Sequence, residues 1–224
     1  MDFTKFVAML EHGGLFFCRA DKLGDPFEGS IPRANEKLRA RLYEEAGISD
    51  DVFEQMADFW PWLRKWTMVC CWHMNHHESA AMWRLYARTD EALAVRTTFA
   101  RLRECLDESA YVGVVKYIDY QNEWLPEDNR FWPYVYKRAS FAHEQEVRAV
   151  IQKMPAHCKG GIDRAAPPPR DGVWKPTDLS ALIDAVFVAP TSPEWFWELT
   201  QKVTTRHIPA LRVIRSALDE EPFY

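Results

Sequence analysis

The stretch Lys137-Arg138-Ala139-Ser140-Phe141-Ala142-His143-Glu144-Gln145-Glu146-Val147-Arg148 gathers ionisable side chains just ahead of an apolar run. Read as extended over 144–151, it puts Glu144, Glu146 and Arg148 on one face and Val147, Ala149 and Ile151 on the other. Alternate residues of a strand stand about 7 Å apart. Two carboxylates so placed can hold a sugar hydroxyl and act on an electrophilic carbon. Arg148 should pair with one of them and keep it ionised, because a nearby opposite charge lowers a carboxylate pKa. Lys137 and Arg138 could neutralise a phosphate. The plainer alternative is a solvent face with a Glu146–Arg148 pair, which would add little stability.

Three further segments carry polar chemistry. In Asp21-Lys22-Leu23-Gly24-Asp25-Pro26-Phe27-Glu28-Gly29-Ser30, Asp25 before Pro26 favours a turn, and the glycines permit positive φ. Asp25, Phe27 and Glu28 could position a ligand there; alternatively Asp25 caps its own backbone and Phe27 plugs the core. In Cys70-Cys71-Trp72-His73-Met74-Asn75-His76-His77-Glu78, Cys71 and His73 share a strand face. That face could offer metal ligands, with His76 or His77 completing a set, but zinc sites usually present their ligands at better defined intervals, and no metal is expected. His73 reads instead as a hydrogen-bonding residue at a strand end. In Glu78-Ser79-Ala80-Ala81-Met82-Trp83-Arg84-Leu85-Tyr86, Ser79, Met82, Trp83 and Tyr86 form one helical stripe. The hydroxyls of Ser79 and Tyr86 need partners if that stripe is buried.

These segments need a scaffold, and the pattern supplies one. Helices are expected over 3–11, 36–46, 50–66 with Ser49 as cap, and 99–106. A helix should run from the Asn75–Glu78 capping box to Ala87, and another from 193 to 205 with Pro193 as its first residue. Strands are expected over 15–18, 67–73, 93–98, 111–118, 144–151, 185–188 and 211–214, and a helical turn over 179–183. A loop rich in proline and glycine should fill 155–176. The order predicts one α+β domain over residues 1–224, with a mixed, mostly antiparallel sheet flanked by helices. No glycine-rich phosphate loop follows a strand, so neither a Rossmann nor a P-loop fingerprint is present.

Composition narrows the class. The 224 residues are 47% hydrophobic and 27% charged, which describes an ordinary globular chain. The formal net charge of -5 gives no global field for nucleic acid, although Arg84, Arg88, Lys137 and Arg138 could form a local basic face. No apolar run reaches membrane-spanning length and no signal peptide is visible, so the expected location is cytoplasmic, with no membrane partner. The five cysteines have irregular spacing and read as reduced. Ten Trp, thirteen Phe and eight Tyr suit either a thick aromatic core or the walls of a groove for a flat ring.

Asp25-Pro26-Phe27-Glu28, Cys71-Trp72-His73, Met82-Trp83-Arg84-Leu85-Tyr86 and Glu144-Gln145-Glu146-Val147-Arg148 together resemble the motif set of a bacterial family of unknown function. The match covers most of residues 3–218. The motif order also resembles that of ADP-ribosyltransferases. That resemblance implies an enzyme that binds NAD as substrate, or another nucleotide, with no obligatory cofactor. It implies that Tyr86 stacks on the nicotinamide, that Glu146 holds the ribose and stabilises the oxocarbenium ion, and that Glu144 orients the acceptor. Arg19 is the nearby candidate for the early basic residue of that group. The competing expectations are a ligand- or protein-binding module with an aromatic cleft and no chemistry, and a nucleic-acid-acting protein. If a functional site exists, Glu146, Tyr86 and the 25–28 loop should line one cleft.

Overall fold

Phe3, Phe6, Val7 and Leu10 make one face of α1 (Phe3–His12), which ends where Gly13 turns left-handed at φ 57° and its N–H reaches the Met9 and Leu10 carbonyls. The computed structural model describes residues 1–45, 47, 50–87, 89–158, 160–220 and 222, without the side chains of 40, 42, 43 and 50–57. The expected cap Ser49, the helix end at 46 and Arg88 lie outside the described residues. After α1 come β1 (Gly14–Arg19), α2 (Arg33–Glu45), α3 (Asp50–Lys65), β2 (Thr67–His73), α4 (Ala80–Tyr86), β3 (Leu93–Arg96) and α5 (Phe99–Glu104). Then follow β4 (Ala110–Val114), β5 (Lys116–Ile118), β6 (Tyr136–Arg138), β7 (Glu146–Gln152) and β8 (Gly172–Pro176). The last elements are α6 (Leu179–Leu182), β9 (Ala185–Val188), α7 (Glu194–His207) and β10 (Arg212–Arg215).

The fold class is α+β, with a five-stranded sheet in the order β4-β7-β2-β1-β8. Its pairs β4–β7, β7–β2 and β2–β1 are antiparallel. The chain divides into two compact units, each discontinuous in sequence. The first comprises 1–16, 75–107 and 174–224; the second comprises 17–74 and 108–173, and two of the four boundaries fall inside β1 and β8. In the first unit, β9 pairs in parallel with β10 and antiparallel with β3. Phe6, Leu93, Leu102, Leu182, Val186 and Phe196 are buried there, with Phe3 edge-on to Phe196 at 5.3 Å. In the second unit, Val69, Ile118, Tyr120, Leu125, Tyr134, Val135 and Val150 form the core, and Tyr111 stacks on Phe131 at 5.5 Å. Among the described residues no helix is long and apolar enough to cross a membrane.

Four local expectations need correction. Asn75 does not open a helix: its side chain accepts the N–H groups of His76 and His77, and α4 starts behind Ser79, whose hydroxyl accepts from Met82 N–H. The 111–118 strand breaks at Val115, where Val115 N–H goes to the Glu146 carbonyl and Lys116 N–H to the Val135 carbonyl. The change of partner makes two strands, β5 then running parallel to β6. The 155–176 segment is not all loop, because β8 occupies its last residues. Pro193 is the N-cap of α7, one position ahead of the expected place.

Gly14 sits where β1 meets the segment of β8 in the first unit, and a Cβ there would collide with the Lys175 backbone carbonyl. Gly14→Ala should therefore destabilise by about 1–3 kcal/mol. Chemical denaturation reads this directly, and an unchanged midpoint would mean that the two backbones are not held at that separation.

Candidate active site

Every side chain of the strongest constellation belongs to the second unit. β7 lies between β4 and β2, so both of its edges are paired, and six of its seven residues are buried. Arg148 is 1% exposed. Its register partners are Cys71 on β2 and Gly113 on β4, and Glu146 lies opposite His73. A guanidinium this deep needs acceptors for all its N–H groups. It has them: Nε donates to Glu146 Oε2 at 2.6 Å, and Nη2 donates to Glu146 Oε1 at 3.1 Å. Nη1 and Nη2 reach the two Glu28 oxygens at 2.6 and 2.8 Å, and Nη1 also donates to the Tyr134 carbonyl at 3.0 Å. Thus the solvent-face alternative for Glu146 and Arg148 does not hold.

Glu28 reaches this position from the 25–28 turn. Asp25 accepts the Phe27 N–H at 3.1 Å, and Gly29 follows at φ 69°. Only glycine suits that spot, because a Cβ would stand 2.5 Å from the Tyr134 ring as well as strain the backbone. Asp25 is buried and forks to Arg138, which donates from Nε at 3.1 Å and Nη2 at 2.7 Å. Phe27 does not plug the core: it is 39% exposed.

Lys137 completes the cluster. Its ammonium meets Glu146 Oε1 at 2.7 Å, Glu28 Oε1 at 3.2 Å and Glu144 Oε2. The expected extended backbone at Glu144 is a second correction to the site. Glu144 ends a 3-10 turn over 139–144, and β7 begins only at Glu146. Gln145 between them adopts φ 42°, ψ 57°. Non-glycine residues rarely enter this region, and such strain persists where the surroundings over-determine it. Here they do. His73 Nδ1 donates to the Glu144 carbonyl at 2.6 Å, Met74 N–H to the Gln145 carbonyl at 2.8 Å, and Glu146 N–H to the Tyr117 hydroxyl at 2.8 Å. The kink turns two carboxyls that a strand would hold apart onto one ammonium.

The charges explain the protonation. Three carboxylates, Glu28, Glu144 and Glu146, surround two cations, Lys137 and Arg148. One excess negative charge in a buried site favours taking up one proton. Burial and the hydrogen bond to Glu146 raise the Glu144 carboxyl above its ordinary value. Burial pushes the Glu146 carboxyl up as well, but hydrogen bonds from Glu144 and Arg148 and the Arg148 charge outweigh it, and Glu146 stays ionised well below the usual range. Burial would lower the Lys137 ammonium, but its bonds to Glu144 and Glu146 hold it above the normal lysine value.

The other candidates take different places. Arg19 forks onto Asp21 at 2.8 and 2.6 Å and donates to the carbonyls of Pro169 and Arg170. It tethers the proline-rich segment within the second unit. Ser79, Trp83 and Tyr86 belong to the first unit. Trp83 Nε1 donates to Glu78 at 3.0 Å, and Glu78 also accepts from the Ser216 hydroxyl and Ala217 N–H. Tyr86 is 51% exposed. Among the described residues no group of three or more His, Cys, Asp or Glu could hold a metal ion. Tyr117 and Tyr134 are the members that the sequence did not mark. Tyr117 sat unnoticed in a strand read as continuous, and Tyr134 contributes only its backbone carbonyl, for which no residue type is a signal. Comparison of the chain with family models, with curated proteins and with solved structures finds no match.

Proposed function

We propose that the second unit is the reaction centre of an enzyme that attacks the N-glycosidic bond of NAD or a related nucleotide. The observation that carries this reading is the Glu144–Glu146 pair, two carboxyls on one ammonium whose surroundings push their proton affinities apart. Such divergence assigns separate tasks to two like groups. With NAD, the bond from the ribose carbon to the pyridinium nitrogen breaks, its electron pair leaves with nicotinamide, and nicotinamide departs neutral. The Glu146 carboxylate stabilises the oxocarbenium ion left behind. A water or other hydroxyl adds to that carbon and its proton is released to solvent. Glu144, whose carboxyl has the higher proton affinity of the pair, orients the acceptor.

Release of nicotinamide from NAD, followed by chromatography, tests the reading, with calorimetry for binding. Turnover that disappears in Glu146→Gln is the expected result. Absence of both turnover and binding by the full chain would overturn it. The competing reading is a binding unit without chemistry. It is favoured by the saturation of Arg148 and Lys137, and it predicts binding without nicotinamide release.

A further inference from the structure

We infer that Arg138 is the anion-recognising residue of this site and that the ligand class it selects is phosphate esters over the unphosphorylated sugar or nucleoside. The inference rests on the proposed function, because it assigns the substrate class of the same site. Three cations lie in or beside the carboxylate cluster, and two of them are fully engaged. The Arg148 side chain is 1% exposed with every guanidinium nitrogen donating, and the Lys137 side chain is 7% exposed against three carboxylates. Arg138 differs on both counts. Its side chain is 34% exposed, and only Nε and Nη2 are used, both on Asp25. Nη1 has no hydrogen-bond partner among the described residues.

The surroundings fix that remaining edge. The Asp25 side chain is 2% exposed and its fork sets the plane of the guanidinium. Phe27 lies 4.3 Å from the guanidinium carbon and Phe141 lies 5.3 Å from it. Rings on a guanidinium exclude water from its faces while leaving its edge open. A held, partly dehydrated edge with two N–H donors suits a phosphate oxygen better than a neutral hydroxyl. Phe141 also carries the Lys137 ammonium at 4.6 Å, so one ring borders both the exposed guanidinium and the buried carboxyl pair. A substrate with a phosphate one ribose away from its reacting carbon matches that adjacency.

Calorimetric titration of the full chain with ADP-ribose, inorganic pyrophosphate and adenosine tests this. ADP-ribose and pyrophosphate should bind the wild type, and Arg138→Gln should weaken both at least tenfold while leaving adenosine unchanged. Because that variant strands a buried carboxylate, Arg138→Gln combined with Asp25→Asn is the second variant, with the same loss expected. Equal affinity of ADP-ribose for the wild type and the double variant would overturn the inference. So would failure of pyrophosphate and ADP-ribose to bind the wild type. NAD turnover that depends on Glu146 but not on Arg138 would leave the proposed function standing and remove only the anion subsite.

Discussion

Arg148→Met is expected to cost about 3–5 kcal/mol of stability at neutral pH, the range for breaking a buried ion pair from one side. Methionine fills much of the volume but satisfies none of the acceptors. Glu28 and Glu146, 3% and 6% exposed, would face Glu144 with Lys137 alone for compensation. The penalty should shrink on acidification. Without the guanidinium these carboxyls hold protons more tightly in the folded than in the unfolded chain, so the variant gains relative stability as pH falls towards the carboxylate range. Adding Glu28→Gln removes one stranded charge and should recover part of the loss. Urea denaturation at several pH values measures all three. A deficit below 1 kcal/mol, or one independent of pH, would show that the cluster is wet and loosely held.

The second large effect is on reaction rate. Glu146→Gln should lower NAD turnover about 10²–10³-fold, the usual scale for deleting a group aimed at charge that develops in the transition state. It should lose less stability than Arg148→Met. Removing the Glu146 charge leaves Lys137 and Arg148 opposite Glu28 and Glu144, so two cations face two carboxyls and the ionised form of Glu144 is favoured. The Glu144 carboxyl should therefore move from above its ordinary value to below it, a shift visible by carbon NMR of labelled glutamate. The linkage signs follow. In the wild type the depressed Glu146 contributes stability that is fully present above the ordinary glutamate range and is lost progressively as pH falls from that range through its lower folded value. The raised Glu144 contributes stability present below that range and lost as pH rises through its folded value. In Glu146→Gln the first contribution passes to Glu144. Unchanged turnover would remove Glu146 from the chemistry, and an unmoved Glu144 signal would mean that the two carboxyls do not share their proton.

The parts of this site legible in the sequence were those set by side-chain type on regular backbone. Arg148 among acids, an apolar β7 and a Pro-containing turn at Asp25 each follow from local rules. The parts that escaped depend on partners distant in the chain. Gln145 is not a residue that advertises a left-handed conformation, and His73 and Met74 at the end of β2 and Tyr117 on β5 impose it. Period-two alternation therefore placed Glu144 on the strand, although its carboxyl does join Glu146. The Asn75 capping box satisfied a sequence rule, but Glu78 is claimed by Ser216 and Ala217 of the final segment. β8 was hidden because Gly172 and Pro176, which read as loop punctuation, flank a short strand at an edge of the sheet, where proline is tolerated.

The two units also complete their sequences at different times during synthesis. The second unit has every residue it needs once 173 has been added, whereas the first waits for 174–224. β3 pairs only with β9 in its sheet, and β9 in turn with β10, so Leu93–Arg96 stays without its partner strand until the chain has grown by roughly ninety residues. Domains fold as units, and an unpaired apolar strand is aggregation-prone in the interval. A released chain ending at residue 173 should thus carry an assembled carboxylate cluster while its first unit stays incomplete, and chaperone capture should concentrate on β3 and α1.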